Sequence, residues 1–405
     1  MPGARWRPPA PLQAGSCCWW ARRWRWVRRS RWCCRASRPL PPRRLALRPP
    51  ASRPAFMSPG AGPGRMSDYT PLEKLLHRMV LGVPAIAETA FAADQALARP
   101  DAAAARNGRH VFVAGLARAG TTILTRRIHA SGAFASLTYR DMPFVLAPNL
   151  WQRLGGGSDR ALDTQERAHG DGLIVGIDSP ESLEEPFWRV FDGPAYIGHD
   201  RLHPHMPDAA LCAKYAGFVG AILKAAGGTR YLAKNNNNIL RLAMLAETFP
   251  EAEILVPFRA PGAHAGSLLS QHRRFVERHA ADRFSRAYMG WLVHHEFGAD
   301  HRPFAAPAPA TADPMARDYW LAQWCAVYGG LIDTAPRTAR FVCYEDLCGD
   351  PGTWAGLAAA LNIPAEGGEA FRTPPAPPAL PETAREAGAQ ALYARLRDRA
   401  RAAPV

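Results

Sequence analysis

The chain has 405 residues and a formal net charge of +15, and that charge is not spread evenly along it. Residues 1–65 hold 15 arginines, no lysine and no acidic residue, so residues 66–405, with 35 basic and 35 acidic side chains, are formally neutral. A neutral body of this length excludes a small disulfide-stapled scaffold, argues against a nucleic-acid-binding core, and is ample for one large α/β domain.

Residues 1–65 also carry six of the twelve tryptophans and four of the eight cysteines. A run such as RRWRWVRRSRWCCRASRPLPPRR has neither helical nor strand period and cannot build a core. The segment reads as a disordered arm or as translated sequence ahead of an ordinary start at Met66. The alternative is a basic arm for nucleic acid or anionic lipid, whose binding to nucleic acid would depend steeply on salt. No uninterrupted apolar stretch follows the arginines, as a signal peptide requires. Nor does any run of about 18 apolar residues predict a membrane span. Cys212, Cys325, Cys343 and Cys348 make no C-x-x-C pair, which predicts reduced thiols in a cytoplasmic protein rather than a disulfide frame or zinc site. GAGPG, residues 60–64, follows no strand and is not a dinucleotide fingerprint.

Asp68 to Leu81 predicts an amphipathic helix with Leu72, Leu75, Leu76, Met79 and Val80 on one side. Alanine-rich helix follows to about residue 105. Val111 to Gly115 is a short apolar run ending in glycine, as a buried parallel strand would be, and Thr121 to Ala130 reads as helix. Further strands are predicted at GLIVGID (172–178), RYLAK (230–234), EILVPFR (253–259) and RFVCYEDL (340–347). A helix carries Ile239, Leu242, Leu245 and Phe249 on one face and stops at Pro250. Strands alternating with helices predict an α/β fold of three layers: a mostly parallel central sheet, helices on both faces, P-loop-like. Residues 66–375 are expected to form this domain, with 140–230 and 268–335 as long segments covering the active face. Residues 376–405 read as a Pro-rich linker and a C-terminal helix.

The chemistry gathers at HVFVAGLARAGTTILTRRIH, residues 110–129. Gly115 and Gly120 keep the glycine spacing of a nucleotide phosphate loop, but its lysine slot holds Thr121. A glycine turn between strand and helix still offers backbone N–H groups and the helix dipole to an anion. Arg118 can fork onto an oxyanion from inside the loop. GLARAGTT resembles the 5′-phosphosulfate loop of sulfotransferases that use 3′-phosphoadenosine 5′-phosphosulfate. EILVPFRAPGAHAGSLL resembles that family's 3′-phosphate motif: Arg259 ends the strand, Pro261 follows, and Ser267 stands eight residues on, while the usual aspartate beside the proline is Ala260. YLAKNNNN resembles the strand-end lysine segment, ETFPEAEILVPFR its F-P-x-A lead-in, and FVCYEDLCGDP its late Y-E-D-L-x-x-D-P segment.

The resemblance implies sulfuryl transfer to a hydroxyl or amine, with the nucleotide as co-substrate and no metal. It implies donor binding by Arg118, Ala119, Gly120, Thr121, Thr122, Arg259 and Ser267, with Arg118 and Lys234 stabilising the transferring group. A P-loop nucleotide kinase is the alternative, against which the missing lysine counts. Cytosolic members place a histidine base two residues after the strand-end lysine; here that slot is Asn236, and an amide cannot accept a proton at neutral pH. The base must therefore lie elsewhere or be unneeded; Asp141 ranks first and Glu185 second, with His169, Asp171 and Glu184 behind them. HHEFGADH, with His294, His295, Glu296 and His301, is not H-E-x-x-H. With Gln271, His272 and Arg273 it reads as a lid facing the acceptor. Asn235–Asn238 are expected to cap the following helix. The identity of the acceptor and the oligomeric state cannot be read from the residues.

Overall fold

The computed structural model describes residues 69–156, 165–166, 174–175, 180–304, 313–373 and 384–402. Its first helix begins in a capping box. Thr70 Oγ1 accepts from Glu73 N at 3.3 Å, Glu73 Oε2 accepts from Thr70 N at 2.7 Å, and Pro71 fills a first-turn position that needs no N–H. Helices α1 (Pro71–Gly82), α2 (Pro84–Ala98) and α3 (Ala102–Arg106) lead to strand β1 (Val111–Val113). Helices α4 (Thr121–His129) and α5 (Pro148–Arg153) follow, then the short strands β2 (Gln165–Glu166) and β3 (Ile174–Val175). Next come α6 (Glu185–Tyr196), α7 (Ala209–Ala226), β4 (Leu232–Lys234), α8 (Leu242–Thr248) and β5 (Glu253–Phe258). Helices α9 (Pro261–Ala281), α10 (Arg283–Trp291) and α11 (Arg317–Thr334) precede β6 (Ala339–Cys343). The chain then forms α12 (Tyr344–Gly349), α13 (Pro351–Ala360) and α14 (Ala384–Ala402).

Strands β4, β1, β5 and β6 pair in that order, every pairing parallel, as the alternation of strands and helices predicts. Both sheet faces are covered, so even a three-residue strand must be apolar throughout. Val111 and Val113 pack with Leu124, Ile128, Trp354 and Leu357 on one side. Phe112 packs with Tyr215, Phe249 and Val256 on the other.

Three expectations need correction. Of GLIVGID only Ile174 and Val175 are described, and among the described residues they pair antiparallel with Glu166 and Gln165, outside the central sheet. An apolar run of that length fixes no partner, and the edge position beyond β4 goes instead to Ala135, which bridges Tyr231. In α1 the buried residues are His77, Val80 and Leu81, while Leu72, Leu75 and Met79 face outward. His77 sits among Tyr69, Phe284 and Tyr288 and turns the helix away from its leucine face. RFVCYEDL is also divided, with strand as far as Cys343 and helix from Tyr344. Helix α7 is long and apolar enough to cross a membrane by length and composition. Its central run Tyr215–Leu223 is buried in the fold, which accounts for that composition.

Candidate active site

The strand register sets out the site. Val113, Lys234 and Leu255 lie side by side. Strand β5 runs on to Phe258, so Arg259 stands four residues beyond Lys234's level, roughly 13 Å along the strands. The glycine loop, Lys234 and Arg259 sit at the carboxyl ends of their strands, where open α/β sheets place their ligands.

Residues 114–120 join β1 to α4. A Cβ on Gly115 would lie 2.8 Å from the Pro257 carbonyl oxygen, so the loop can lie against β5 only without a side chain there. Gly120 caps α4 at φ 87°, and a Cβ there would strike the Tyr344 ring. Arg118 also has positive φ, 69°, unusual for a residue with a side chain. Two contacts hold it. Its Nε donates to Ser267 Oγ on α9 at 3.1 Å. Beside it, His264 Nε2 donates to the Ala117 carbonyl at 2.8 Å. His264 is buried, and burial, with Arg259 and Arg118 adding to it, lowers its pKa to about 3, so this donor is a neutral imidazole. Ala119 is buried in the loop, Thr121 is buried in the first turn of α4, and Thr122 beside it is half-buried.

Arg259 approaches from the end of β5. Its Nε lies 3.8 Å from Glu345 Oε1 and makes no hydrogen bond. Burial lowers the guanidinium's pKa, Glu345 pulls it back up, and nearby Arg118 lowers it further. Two guanidiniums, a hydroxyl and a helix N-terminus thus converge with one carboxylate among them, which is the charge pattern of an anion site.

Lys234, at the end of β4, is buried, and its Nζ lies 3.5 Å from Glu181 Oε2, itself buried. The Glu181 segment crosses the sheet edge, where its backbone N–H donates to Leu137 O at 3.4 Å and Pro180 bridges Thr138. The sequence reading passed over Glu181, although it lies in the same PESLEE stretch as Glu184 and Glu185. The signal available was the strand-end lysine, which needs a counter-charge once buried.

The neighbouring glutamates face away from this pair. Glu184 accepts from Tyr215 Oη (2.7 Å), Tyr231 Oη (3.0 Å), Asn235 Nδ2 (3.1 Å) and Asn238 Nδ2 (2.7 Å), and burial raises its pKa. Glu185 takes both Nη groups of Arg241, at 2.9 and 2.8 Å. Burial would raise its pKa, but Arg241 outweighs burial and lowers it. Arg241 is in turn stacked on Trp188 and Tyr196 and bonded to His205. Asn235 does cap the following turn, accepting from Asn237 N at 3.0 Å. Asn235 and Asn238 also tie that turn to Glu184. Asp141 Oδ2 accepts from Thr138 N (2.9 Å) and Thr138 Oγ1 (3.3 Å), closing its own turn beyond the sheet edge. It borders an open cleft of about 510 Å³ on the flank of α4 and α7. His169 and Asp171 lie outside the described residues.

Asn236 Nδ2 donates to Glu296 Oε1 at 2.8 Å. Burial opposes the Glu296 charge, but His294 beside it and the Asn236 amide bring its pKa down to about 2. Gly298 N and Ala299 N donate to His272 and His279, pinning residues 293–304 against α9. Among the described residues, no three His, Cys, Asp or Glu side chains converge as a metal site.

The Sulfotransferase family profile matches residues 110–366, well over half of the chain. Among solved structures, the sulfotransferase STF1 from Mycobacterium tuberculosis H37Rv is similar at 16% identity and TM-score 0.43, over 82% of this chain and 86% of that one. The sulfotransferase STF9 from Mycobacterium avium is similar at 14% identity and TM-score 0.34, over 71% and 68%. No curated protein is significantly similar.

Proposed function

The chain belongs to the sulfotransferase family, and from that premise we propose that it carries a sulfuryl group from 3′-phosphoadenosine 5′-phosphosulfate to a hydroxyl or amine of a small molecule or glycan. The observation that carries this reading is the hydrogen bond from Arg118 Nε to Ser267 Oγ, 3.1 Å, beside Arg259. It joins the glycine loop to the strand-end arginine motif and makes one anion site of two distant stretches. The residues suit such a donor. Gly115 lets the loop lie against β5 and Gly120 lets it close on Tyr344, a turn whose backbone N–H groups suit a 5′-linked phosphate at the N-terminus of α4, and Arg259 Nε has an uncommitted proton for a 3′-phosphate.

The bound donor supplies the sulfuryl group and leaves as adenosine 3′,5′-bisphosphate. Lys234 and Arg118 bring positive charge to the leaving oxygen, where negative charge gathers. Glu181 takes the proton from the acceptor's hydroxyl or amine while Lys234 turns from it toward the transferring group. Asp141 is committed to its turn and Glu185 to Arg241, so Glu181 is the better base on geometry.

Thermal unfolding of the full chain with adenosine 3′,5′-bisphosphate, adenosine 5′-phosphate or ATP–magnesium tests the donor. A ligand at about 100 times its dissociation constant stabilises by about 2.7 kcal/mol. The reading expects a rise of a few degrees with the bisphosphate and a smaller rise with the 5′-phosphate. A shift with ATP–magnesium alone overturns it.

A further inference from the structure

Helix α14 begins after the residues that match the family profile have ended, at residue 366. It is nevertheless built into the core, with Ala389, Leu392 and Leu396 buried. Ion pairs tie it to two other helices: Glu386 to Arg317 at 3.0 Å and Arg385 to Asp318 at 3.1 Å at the start of α11, and Arg397 to Asp346 on α12. These hold the middle of the helix, and so Tyr393, over the end of β5.

Tyr393 touches one chain neighbour of Arg259 directly and reaches the other through Glu345. Its ring meets Phe258 edge-on at 5.8 Å. Its hydroxyl donates to Glu345 Oε2 at 3.0 Å, and Glu345 Oε1 accepts from Ala260 N at 3.0 Å while lying 3.8 Å from Arg259 Nε. Cys343 Sγ stands 3.4 Å from the same hydroxyl. Burial, with Cys343 and Glu345 beside it, pushes the phenol's pKa up, so it stays a donor at neutral pH. Arg259 Nε makes no hydrogen bond, so Glu345 is the carboxylate that faces it, and Tyr393 holds Glu345 together with Ala260 N and Cys343 Sγ.

Resting on the donor reading above, we infer that α14 is part of the donor site: Tyr393, acting through Glu345, is a positioning residue that holds Arg259 toward the 3′-phosphate. The helix then sets how well the site tells a 3′,5′-bisphosphate from a 5′-phosphate.

The test is Tyr393→Phe in the full chain, which keeps the ring against Phe258 and removes the hydroxyl. Without nucleotide, hydrogen exchange in the peptide around Ala260 rises several-fold, while exchange in α7 is unchanged. Affinity for adenosine 3′,5′-bisphosphate falls about 5- to 10-fold, as loss of one hydrogen bond predicts, and affinity for adenosine 5′-phosphate holds. Combining the change with Glu345→Ala adds little further loss, because the two residues act in one chain. Unchanged exchange at Ala260, equal loss of both nucleotides, or losses that simply add each overturn the inference. An unaltered chain that cannot distinguish the two nucleotides refutes the donor reading instead, and exchange at Ala260 then decides the coupling by itself.

Discussion

Among single residues, Glu181 and Lys234 carry the chemistry proposed here. Two buried opposite charges 3.5 Å apart are costly to desolvate, and such pairs are kept in place by other needs than stability. Glu181→Gln is expected to lower turnover by about 10²- to 10⁴-fold while leaving bisphosphate affinity within a small factor. Asp141→Asn is expected to retain most of the rate, since that carboxylate serves its own turn. Steady-state kinetics beside nucleotide titration reads both, and a large loss in Asp141→Asn with full activity in Glu181→Gln reverses the assignment. Arg118→Ala removes the bond to Ser267 and is expected to weaken bisphosphate binding by about tenfold or more, measured by calorimetry.

At the scale of elements, α6 and the turn after β4 are joined by a buried polar network. Glu185 and Arg241 form its charged centre, both buried and bonded at two points. Arg241→Ala strands Glu185 without its partner and is expected to cost about 3–5 kcal/mol, seen as a fall in the urea midpoint. A loss below about 1 kcal/mol would mean that the pair relaxes into solvent. The same network explains why EE at the start of α6 is hard to assign from residues. Acids favour a helix N-terminus in any case, and only the packing shows that one meets Arg241 and the other a cage of Tyr and Asn side chains. Strands β4, β5 and β6 were legible because each is an apolar run that ends at the site. GLIVGID had the same composition, but the neighbouring edge of the sheet was already taken by Ala135.

For the whole molecule, buried histidines set the acid limit of stability. His264 and His301 have pKa values lowered from 6.5 to about 3 and about 4, burial being the leading cause for each. Between those values and 6.5 the unfolded chain binds protons that the folded chain refuses. Stability therefore falls as pH drops below about 6.5, by about 1.4 kcal/mol per unit for each group. Below 4.5 Glu296 adds to the loss, since its charge is favoured in the fold down to about 2. Urea midpoints should hold from pH 7.5 to about 6.5 and decline from there to pH 5, and a flat profile throughout would show that these imidazoles titrate normally. His264 stays neutral in the folded chain down to about pH 3, so its bond to Ala117 is expected to leave nucleotide affinity unchanged over this range while the chain stays folded.

The sequence by itself determined the parallel sheet and the glycine loop, and put Arg259 at the end of a strand and Ser267 on the helix after it, because each is a local pattern. A strand ending in glycine, or an arginine eight residues before a serine across a helix start, takes its geometry from neighbouring residues. What only the tertiary structure decided was which carboxylate meets Lys234, which face of α1 is buried, and how α14 reaches Glu345. Those depend on chain segments far apart in sequence, placed together by packing and by the need to pair buried charge.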